Sequence, residues 1–240
     1  MLTDFPKLHS PFIRRHFQAN KKQLHDFLTV RKMRRNREGL LRLVTREIDP
    51  HYKWVFEDPE TIAVEKVDGS NVKVKVEHMR VAVVQNRLNP PIDLLKIGED
   101  NSRYAEAILN MINKKLITED GEYAGELLGP LVQGNPYKLS SHEWYPFHKS
   151  VDSLQYKSFS KFERTFDNWE SWFKDHLRSL LYAKRHGVKF EDSIFAEGII
   201  FYNMKRKLEG KVYMAKLRRD MFRFYYEGVE ISTTPEQETI

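Results

Sequence analysis

The stretch TIAVEKVDGSNVKVKVEHMRVAVVQ, residues 61–85, carries the strongest fold signal in the chain. Thr61 to Glu65 reads as a strand, and Asn71 to Glu77 alternates strictly, with valines at every second position. Arg80 to Gln85 follows a short turn and predicts a partner strand. This part of the chain is therefore expected to form a sheet of consecutive strands.

Outward from this stretch, the pattern predicts helices and more strands. Helices are expected at residues 15–48, 102–116 and 167–185, and strands at residues 121–128, 194–202 and 211–217. The last two strands would form a hairpin around Glu209 and Gly210. Clustered strands with interspersed helices, and no internal repeat, predict an α+β fold.

Two of these helices carry specific expectations. In the helix at residues 167–185, Asp167 would be the N-cap, Glu170 fits a capping box and Gly187 follows the end. The apolar stripe of that helix is interpreted as core. The helix at residues 102–116 would bury one side, formed by Tyr104, Ile108, Met111 and Ile112.

The composition limits the class of protein. The 240 residues are 40% hydrophobic and 31% charged, which is typical of a globular chain with a sizeable core. There is no cysteine, so disulfides and thiolate chemistry are excluded. No apolar run approaches the roughly 20 residues of a membrane span, and the start of the chain lacks a secretory signal. We expect a reducing, cytoplasmic setting and no membrane partner.

The positive charge is concentrated at the start of the chain. The net charge is +6, yet residues 1–50 alone contribute 12 Lys and Arg against 5 Asp and Glu. The densest run, RKMRRNR from Arg31 to Arg37, would attract polyanions, although a solvated helix face is the alternative. We expect a basic helical segment at residues 1–50, packed on a main domain at residues 51–240.

Four short segments carry the chemistry. EKVDGSN places Lys66 at the end of a strand, before a turn. YAGELLGP and FAEGIIFY each place one carboxylate, Glu126 and Glu197, in an apolar strand, where a bare charge is costly and needs a partner. MAKLRRD places Lys216 and Arg218 two residues apart, on one strand face.

Together these residue types suit an attack on a nucleoside triphosphate. A lysine amine is a nucleophile once it has lost its proton, and its ordinary pKa of about 10.4 falls near other cations or on desolvation. The paired basic residues would hold the triphosphate and stabilise the leaving pyrophosphate. The carboxylates would orient the ribose or recruit Mg²⁺.

In this order, the four segments resemble motifs I, III, IV and V of the covalent nucleotidyltransferases, the superfamily of polynucleotide ligases and RNA capping enzymes. The likeness covers residues 61–222, and GELLGPLVQGNPY together with GSN after the lysine resembles the ATP-dependent RNA ligases. It implies antiparallel sheets flanked by helices, with ATP in the groove between. The 22 residues after Arg218 are too few for the C-terminal OB-fold of DNA ligases and capping enzymes, which favours a compact RNA ligase.

The resemblance implies a reaction in three steps. Lys66 attacks the α-phosphate of ATP, with Mg²⁺ or Mn²⁺, and becomes lysyl-AMP. The AMP moves to the 5′-phosphate of an RNA strand, and a 3′-hydroxyl then seals the strand and releases AMP. The partner would be RNA with 5′-phosphate and 3′-hydroxyl ends.

The resemblance also implies roles for individual positions. Glu197 would position the metal, and Lys216 would contact the α-phosphate during transfer. The remaining positions implied in binding the nucleotide or its metal are Glu65 on the adenine amino group, Val67, Asp68, Gly69 and Asn71 in the turn, Arg87 on the ribose or 5′-phosphate, Glu126 on the ribose and the metal, and Arg218 on the phosphates.

The sequence departs from the ligase pattern at two places, and three alternative functions remain open. Arg218 stands where the ligases usually have lysine, and a forked guanidinium makes other phosphate contacts than an ammonium. The ring that stacks on adenine is either Trp144 or Phe147, with Phe147 favoured. The alternatives are a DNA ligase that seals a DNA strand or nicked duplex, a GTP-using capping enzyme, and a nucleic-acid-binding module that no longer reacts. No histidine spacing supports a zinc site.

Overall fold

The chain divides into two compact units. The four-stranded unit comprises Val67–Gln155 and Ser179–Ala196, and the three-stranded unit comprises Leu8–Lys66, Tyr156–Arg178 and the residues from Glu197 onward. The predicted division at residues 50 and 51 stays a prediction. The computed structural model describes residues 7–31, 33, 36, 38–87, 89–95, 98–161, 163–208 and 213–235.

The described residues form both strands and helices, which confirms the α+β class. The strands are β1 (Phe12–Gln18), β2 (Leu40–Ile48), β3 (Thr61–Lys66), β4 (Ser70–Glu77), β5 (Arg80–Asn86), β6 (Gly121–Leu128), β7 (Glu143–Pro146), β8 (Gly198–Asn203) and β9 (Tyr213–Arg218). The α-helices are α1 (Lys21–Val30), α2 (Trp54–Glu57), α3 (Glu99–Asn113), α4 (Phe147–Ser153), α5 (Phe166–Asp175), α6 (Leu180–His186) and α7 (Met204–Leu208). Short 3-10 helices are at Pro50–Tyr52, Lys157–Lys161, Phe190–Asp192, Arg219–Met221 and Arg223–Tyr226.

The four-stranded unit is an antiparallel sheet in the order β5-β4-β6-β7. The valines of β4 face one side, as their alternation predicts, and pack there against α3. Tyr104, Ile108 and Met111 of α3 are buried, but Ile112 is 53% exposed, so its predicted burial was wrong. Ile112 lies at the edge of the helical stripe, where the side chain turns toward solvent.

The three-stranded unit contains an antiparallel sheet in the order β3-β8-β9. The hairpin pairing predicted for the last two strands is confirmed, while Glu209 and Gly210 lie outside the described residues. One face of this sheet is fully buried, and Trp169 of α5 stacks on Phe201 of β8 with ring centroids 5.2 Å apart. The core therefore lies on that face, and the opposite face of the sheet lies outside the core.

The helix predicted at residues 15–48 was wrong. The chain there forms β1, α1 and β2, and the two strands pair in an antiparallel sheet. Leu41 and Leu43 are buried two residues apart, which is strand periodicity, and Gly39 turns the chain with a φ of +73°. The basic N-terminal segment is therefore mixed rather than helical. Of its densest run, Lys32, Arg34, Arg35 and Arg37 lie outside the described residues.

The single helix predicted at residues 167–185 was also wrong. α5 begins before Asp167, and its N-cap is Thr165, whose hydroxyl accepts a hydrogen bond from the Asn168 amide. α6 then starts separately, with Ser179 as its own N-cap. Gly187 ends α6 in the left-handed conformation with a φ of +63°, which confirms the predicted end.

Candidate active site

The three-stranded unit brings Lys66, Glu197, Lys216 and Arg218 together. Lys66 pairs directly with Gly198, and Gly198 pairs with Arg218, so the three form one row across β3, β8 and β9. Paired residues on neighbouring strands share a face, and Lys216 lies on that same face two residues before Arg218. Two motifs more than a hundred residues apart thus meet on one surface.

Glu197 is the anion at the centre of this cluster. Its Oε2 lies 2.5 Å from Lys66 Nζ, and its Oε1 lies 3.5 Å from a guanidinium nitrogen of Arg218. Lys66 and Glu197 keep about a fifth of their side chains exposed, at 21% and 20%. The nucleophile candidate is therefore held by a carboxylate yet remains open to a ligand.

Gly198 keeps the centre of the row free of side chains. A Cβ at this position would collide with the carbonyl oxygen of Leu217 and would lie 2.7 Å from the Arg218 Cα. Only glycine allows β8 and β9 to approach this closely. Close pairing of the two strands at Gly198 keeps Arg218 within 3.5 Å of the Glu197 carboxylate that also contacts Lys66.

The charges of the cluster act on one another. Burial, reinforced by the charges of Arg218 and Lys66, lowers the pKa of Lys216 to about 8, although Glu197 opposes the shift. Asp220, whose Oδ2 lies 2.9 Å from Arg218, has a pKa raised by burial against the opposing effect of Arg218. The cluster combines three basic side chains, Lys66, Lys216 and Arg218, with two acidic ones, Glu197 and Asp220.

The turn after Lys66 belongs to the four-stranded unit. The amide of Asp68 donates a hydrogen bond of 2.8 Å to the hydroxyl of the buried Tyr137. Gly69 is closely packed, since a Cβ there would lie 2.5 Å from the carbonyl oxygen of Leu127. Val67 is buried as well, so the predicted turn is held firmly in place.

Asn71 and Glu126 lie side by side in the four-stranded unit. Asn71 of β4 pairs with Glu126 of β6, which pairs in turn with Tyr145 of β7. The three side chains share the sheet face opposite the valine core. A polar face of this kind can accept and donate hydrogen bonds to ribose hydroxyls.

The structure separates the two candidates for the stacking ring. Trp144 is 1% exposed in the core of the four-stranded unit, and its indole N–H donates to the carbonyl of Val72 at 3.0 Å. A ring held in this way has no free face for a nucleobase. Phe147, at the start of α4, is half-buried and is the better candidate.

Two further predicted residues lie apart from these groups. Glu65 is 1% exposed and, as the neighbour of Lys66 along β3, points to the opposite, buried face of the sheet. Arg87 follows β5 in the left-handed conformation, with a φ of +51°, and its carbonyl accepts from the Gln85 side chain at 2.8 Å. Neither side chain lies on the face of the three-stranded sheet that carries the Lys66 side chain.

Sequence reasoning missed three residues that the structure places in these groups. Asp220 ends the MAKLRRD segment, so its position was a usable signal. Arg14, which acts electrostatically on Lys216 and Asp220, lay in a segment taken for helix. Tyr137 reaches the turn after Lys66 from a long irregular stretch, and no local pattern announces that contact.

Neither a metal cluster nor a membrane-spanning helix is found in the described part of the chain. No three His, Asp or Glu side chains there converge on a metal position. None of the helices within these residues is long and apolar enough to cross a bilayer. A divalent cation at this site would need ligands from water or substrate in addition to carboxylates.

Comparison with known proteins finds similar structures but no sequence family. No protein-family model and no curated protein matches the chain. Among solved structures, it is similar to Naegleria gruberi RNA ligase with pyrophosphate, at 19% identity and a TM-score of 0.41, over 66% of this chain and 49% of that one. A mutant of the same ligase with ATP and Mn is 18% identical, with a TM-score of 0.43, over 72% and 53%.

A third structure extends over more of the chain. An apo mutant of the Naegleria gruberi ligase matches 93% of this chain and 63% of its own, at 15% identity and a TM-score of 0.44. This chain thus spans about half to two-thirds of the length of these structures.

Proposed function

We propose that this protein is an ATP-dependent RNA ligase that forms a lysyl-AMP intermediate at Lys66. The observation that carries the proposal is the contact of Lys66 Nζ with Glu197, beside Arg218 and Lys216, on one open sheet face. The motifs that supply these residues occur in the same order as in the RNA ligases that the sequence resembles. The same arrangement would serve any covalent nucleotidyltransferase, so RNA as the substrate rests on that resemblance.

In the first step, the Lys66 amine attacks the α-phosphorus of ATP. A P–N bond forms, the bond to the bridging oxygen of the β-phosphate breaks, and pyrophosphate leaves with that electron pair. A lysine amine attacks only in its unprotonated form, and Glu197 Oε2 lies 2.5 Å from Lys66 Nζ.

The same cations would stabilise the reacting phosphates. Arg218 presents a forked donor and Lys216 a compact charge, and both lie on the face of Lys66. In the second step an oxygen of the RNA 5′-phosphate attacks the lysyl-AMP phosphorus and the P–N bond breaks. In the third step a 3′-hydroxyl attacks the activated 5′-phosphate, and AMP leaves.

The carboxylates of the three-stranded unit fit a divalent cation. Glu197 and Asp220 both offer oxygen ligands, and Asp220 Oδ1 is buried without a hydrogen-bond partner among the described residues. Bound Mg²⁺ or Mn²⁺ would neutralise charge on the phosphates and keep several waters. Roles in nucleotide binding stay predictions for Glu65, the Val67–Asn71 turn, Arg87, Glu126 and Phe147.

Sealing assays with matched strands test the proposal. The purified chain is incubated with ATP, Mg²⁺ or Mn²⁺, and a 5′-phosphorylated strand made either of RNA or of DNA, beside a Lys66→Ala variant. We expect the wild type to join RNA ends with ATP, and the variant to join none. Sealing of DNA alone would identify a DNA ligase, and a covalent adduct formed with GTP but not with ATP would identify a capping-type enzyme. The absence of both adduct and sealing would contradict the proposal.

A further inference from the structure

The cationic face of the three-stranded unit does not end at β9. The backbone amide of Lys216 donates to the carbonyl of His9 at 2.8 Å, so the chain that enters β1 runs beside β9. Arg14 of β1 follows, and it is half-buried. The positive charge of Arg14 favours a lower pKa for both Lys216 and Asp220.

Arg14 is held in place by a backbone group. Its Nε and Nη2 both donate to the carbonyl oxygen of Arg42, at 3.2 and 2.6 Å. This fork uses two of the five N–H donors of the guanidinium and leaves the others for a ligand. Within the described residues, no carboxylate lies within 4.0 Å of the Arg14 or Arg42 side chains.

Further basic side chains lie along the two-stranded sheet formed by β1 and β2. Arg42 of β2 pairs directly with His16 of β1, and Arg14 is two residues before His16, so the three share one face. Arg42 is exposed. Arg15, between them in sequence, points to the other side and is paired with Glu47 at 3.0 Å. The row therefore starts at the cluster and leads away from it.

We propose that Arg14 and Arg42 bind backbone phosphates of the polynucleotide strand whose end is sealed. This inference rests on the proposed function. A triphosphate is compact and would be held by Lys66, Lys216 and Arg218, whereas a row of cations that extends along a strand suits a polyanion. Each phosphate that such a residue neutralises releases counterions, which makes binding weaken as salt increases.

Binding of a labelled, 5′-phosphorylated single-stranded RNA to the full chain tests this surface. The affinity is measured by fluorescence anisotropy across a salt series for the wild type, Arg14→Gln, Arg42→Gln and Arg42→Lys. Arg15→Gln is the matched control, because it removes a paired arginine from the same strand. We expect Arg14→Gln and Arg42→Gln to bind several-fold more weakly, and the slope of log affinity against log salt to fall by about 0.7 for each lost contact. Arg42→Lys should retain most of the binding.

AMP adduct formation, measured on the same proteins, separates the outcomes. If Arg14→Gln and Arg42→Gln bind RNA as Arg15→Gln does, the surface is not an RNA site. If instead they raise the ATP concentration needed for the adduct and leave RNA affinity unchanged, they serve the triphosphate, and the inference is overturned. A wild type that binds no RNA overturns it too. A wild type that binds RNA through these residues but forms no adduct contradicts the proposed function alone. Thermal unfolding of each variant identifies any loss of fold.

Discussion

Lys216 is a cation in a position that disfavours its charge. It is partly buried and lies beside Arg218 and Lys66, which together lower its pKa to about 8. In the unfolded chain a lysine has a pKa of about 10.4. Because the unfolded state holds the proton more tightly, the charged Lys216 reduces the stability of the fold below pH 8. The clustering of these cations thus has a cost in stability.

Replacing this charge should stabilise the protein. We expect Lys216→Met to raise the free energy of unfolding at pH 7 by about 1 kcal/mol, a figure reduced from the full effect of the shift because the side chain is only partly buried. The wild type gains stability as the pH rises from about 8 to about 10.4, so the advantage of the variant should shrink across that window. Urea denaturation at several pH values measures this.

A second lysine variant controls for the loss of charge itself. Lys22, exposed on α1, is replaced in the same way, as Lys22→Met. A Lys216→Met protein that is less stable than the wild type at pH 7 would show that the ammonium is held by favourable contacts.

At the scale of elements, the pairing of β3, β8 and β9 aligns the site. Lys66, Gly198 and Arg218 form one row, and the absence of a side chain at Gly198 allows close strand pairing. The sheet therefore fixes the separation of Lys66 from Arg218. Loops alone would not position these groups as firmly.

A methyl group at Gly198 should disturb both fold and chemistry. In Gly198→Ala the new Cβ meets the Leu217 carbonyl and the Arg218 backbone, so β8 and β9 must move apart. We expect a loss of about 1–3 kcal/mol of stability and a slower formation of the AMP adduct. Gly98→Ala is the control, because a Cβ there meets nothing within 4 Å. Equal denaturation midpoints for the two variants would contradict this role of Gly198.

The sequence predicted the strands near the site well, because their signal is local. Alternating valines defined β4, and the apolar segments around Lys66 and Glu126 matched β3 and β6. The sequence segments also identified Lys66, Glu197, Lys216 and Arg218, which the structure brings together. Motif order and strand periodicity were sufficient for this much.

The two wrong helices depended on contacts distant in sequence. Leu24 and Leu28 do belong to a helix, but Leu41 and Leu43 belong to a strand whose partner is β1. The break between α5 and α6 lies near Ser179, whose carbonyl accepts from the Ser193 hydroxyl at 2.6 Å. Such partners are not visible in a short window, and the same is true of Arg14 beside Lys216.

At the scale of the whole molecule, the charge is divided unevenly. Residues 1–50 carry more positive charge than the whole chain does in net terms. In the structure, part of that excess lies on the face of Arg14 and Arg42, next to the Lys66 cluster. A positively charged surface attracts polyanions from solution.

Reversing the densest basic run should affect RNA sealing more than the first step. We expect a variant with Arg31, Lys32, Arg34 and Arg35 changed to Glu to seal RNA less well, especially at higher salt, and to keep forming the AMP adduct. Sealing rates over a salt series, beside adduct yields, measure this. An equal loss of both activities would indicate that the run serves the fold instead.

The central claim is that Lys66 becomes covalently linked to AMP. The most direct test is the intact mass of the protein after incubation with ATP and Mg²⁺ or Mn²⁺, beside Lys66→Ala treated in the same way. We predict that the wild type gains the mass of one AMP and that the variant gains none. A gain in both would mean that another residue is the nucleophile. If neither protein gains AMP, and GTP adds nothing either, the claim that this site is a nucleotidyltransferase centre is contradicted.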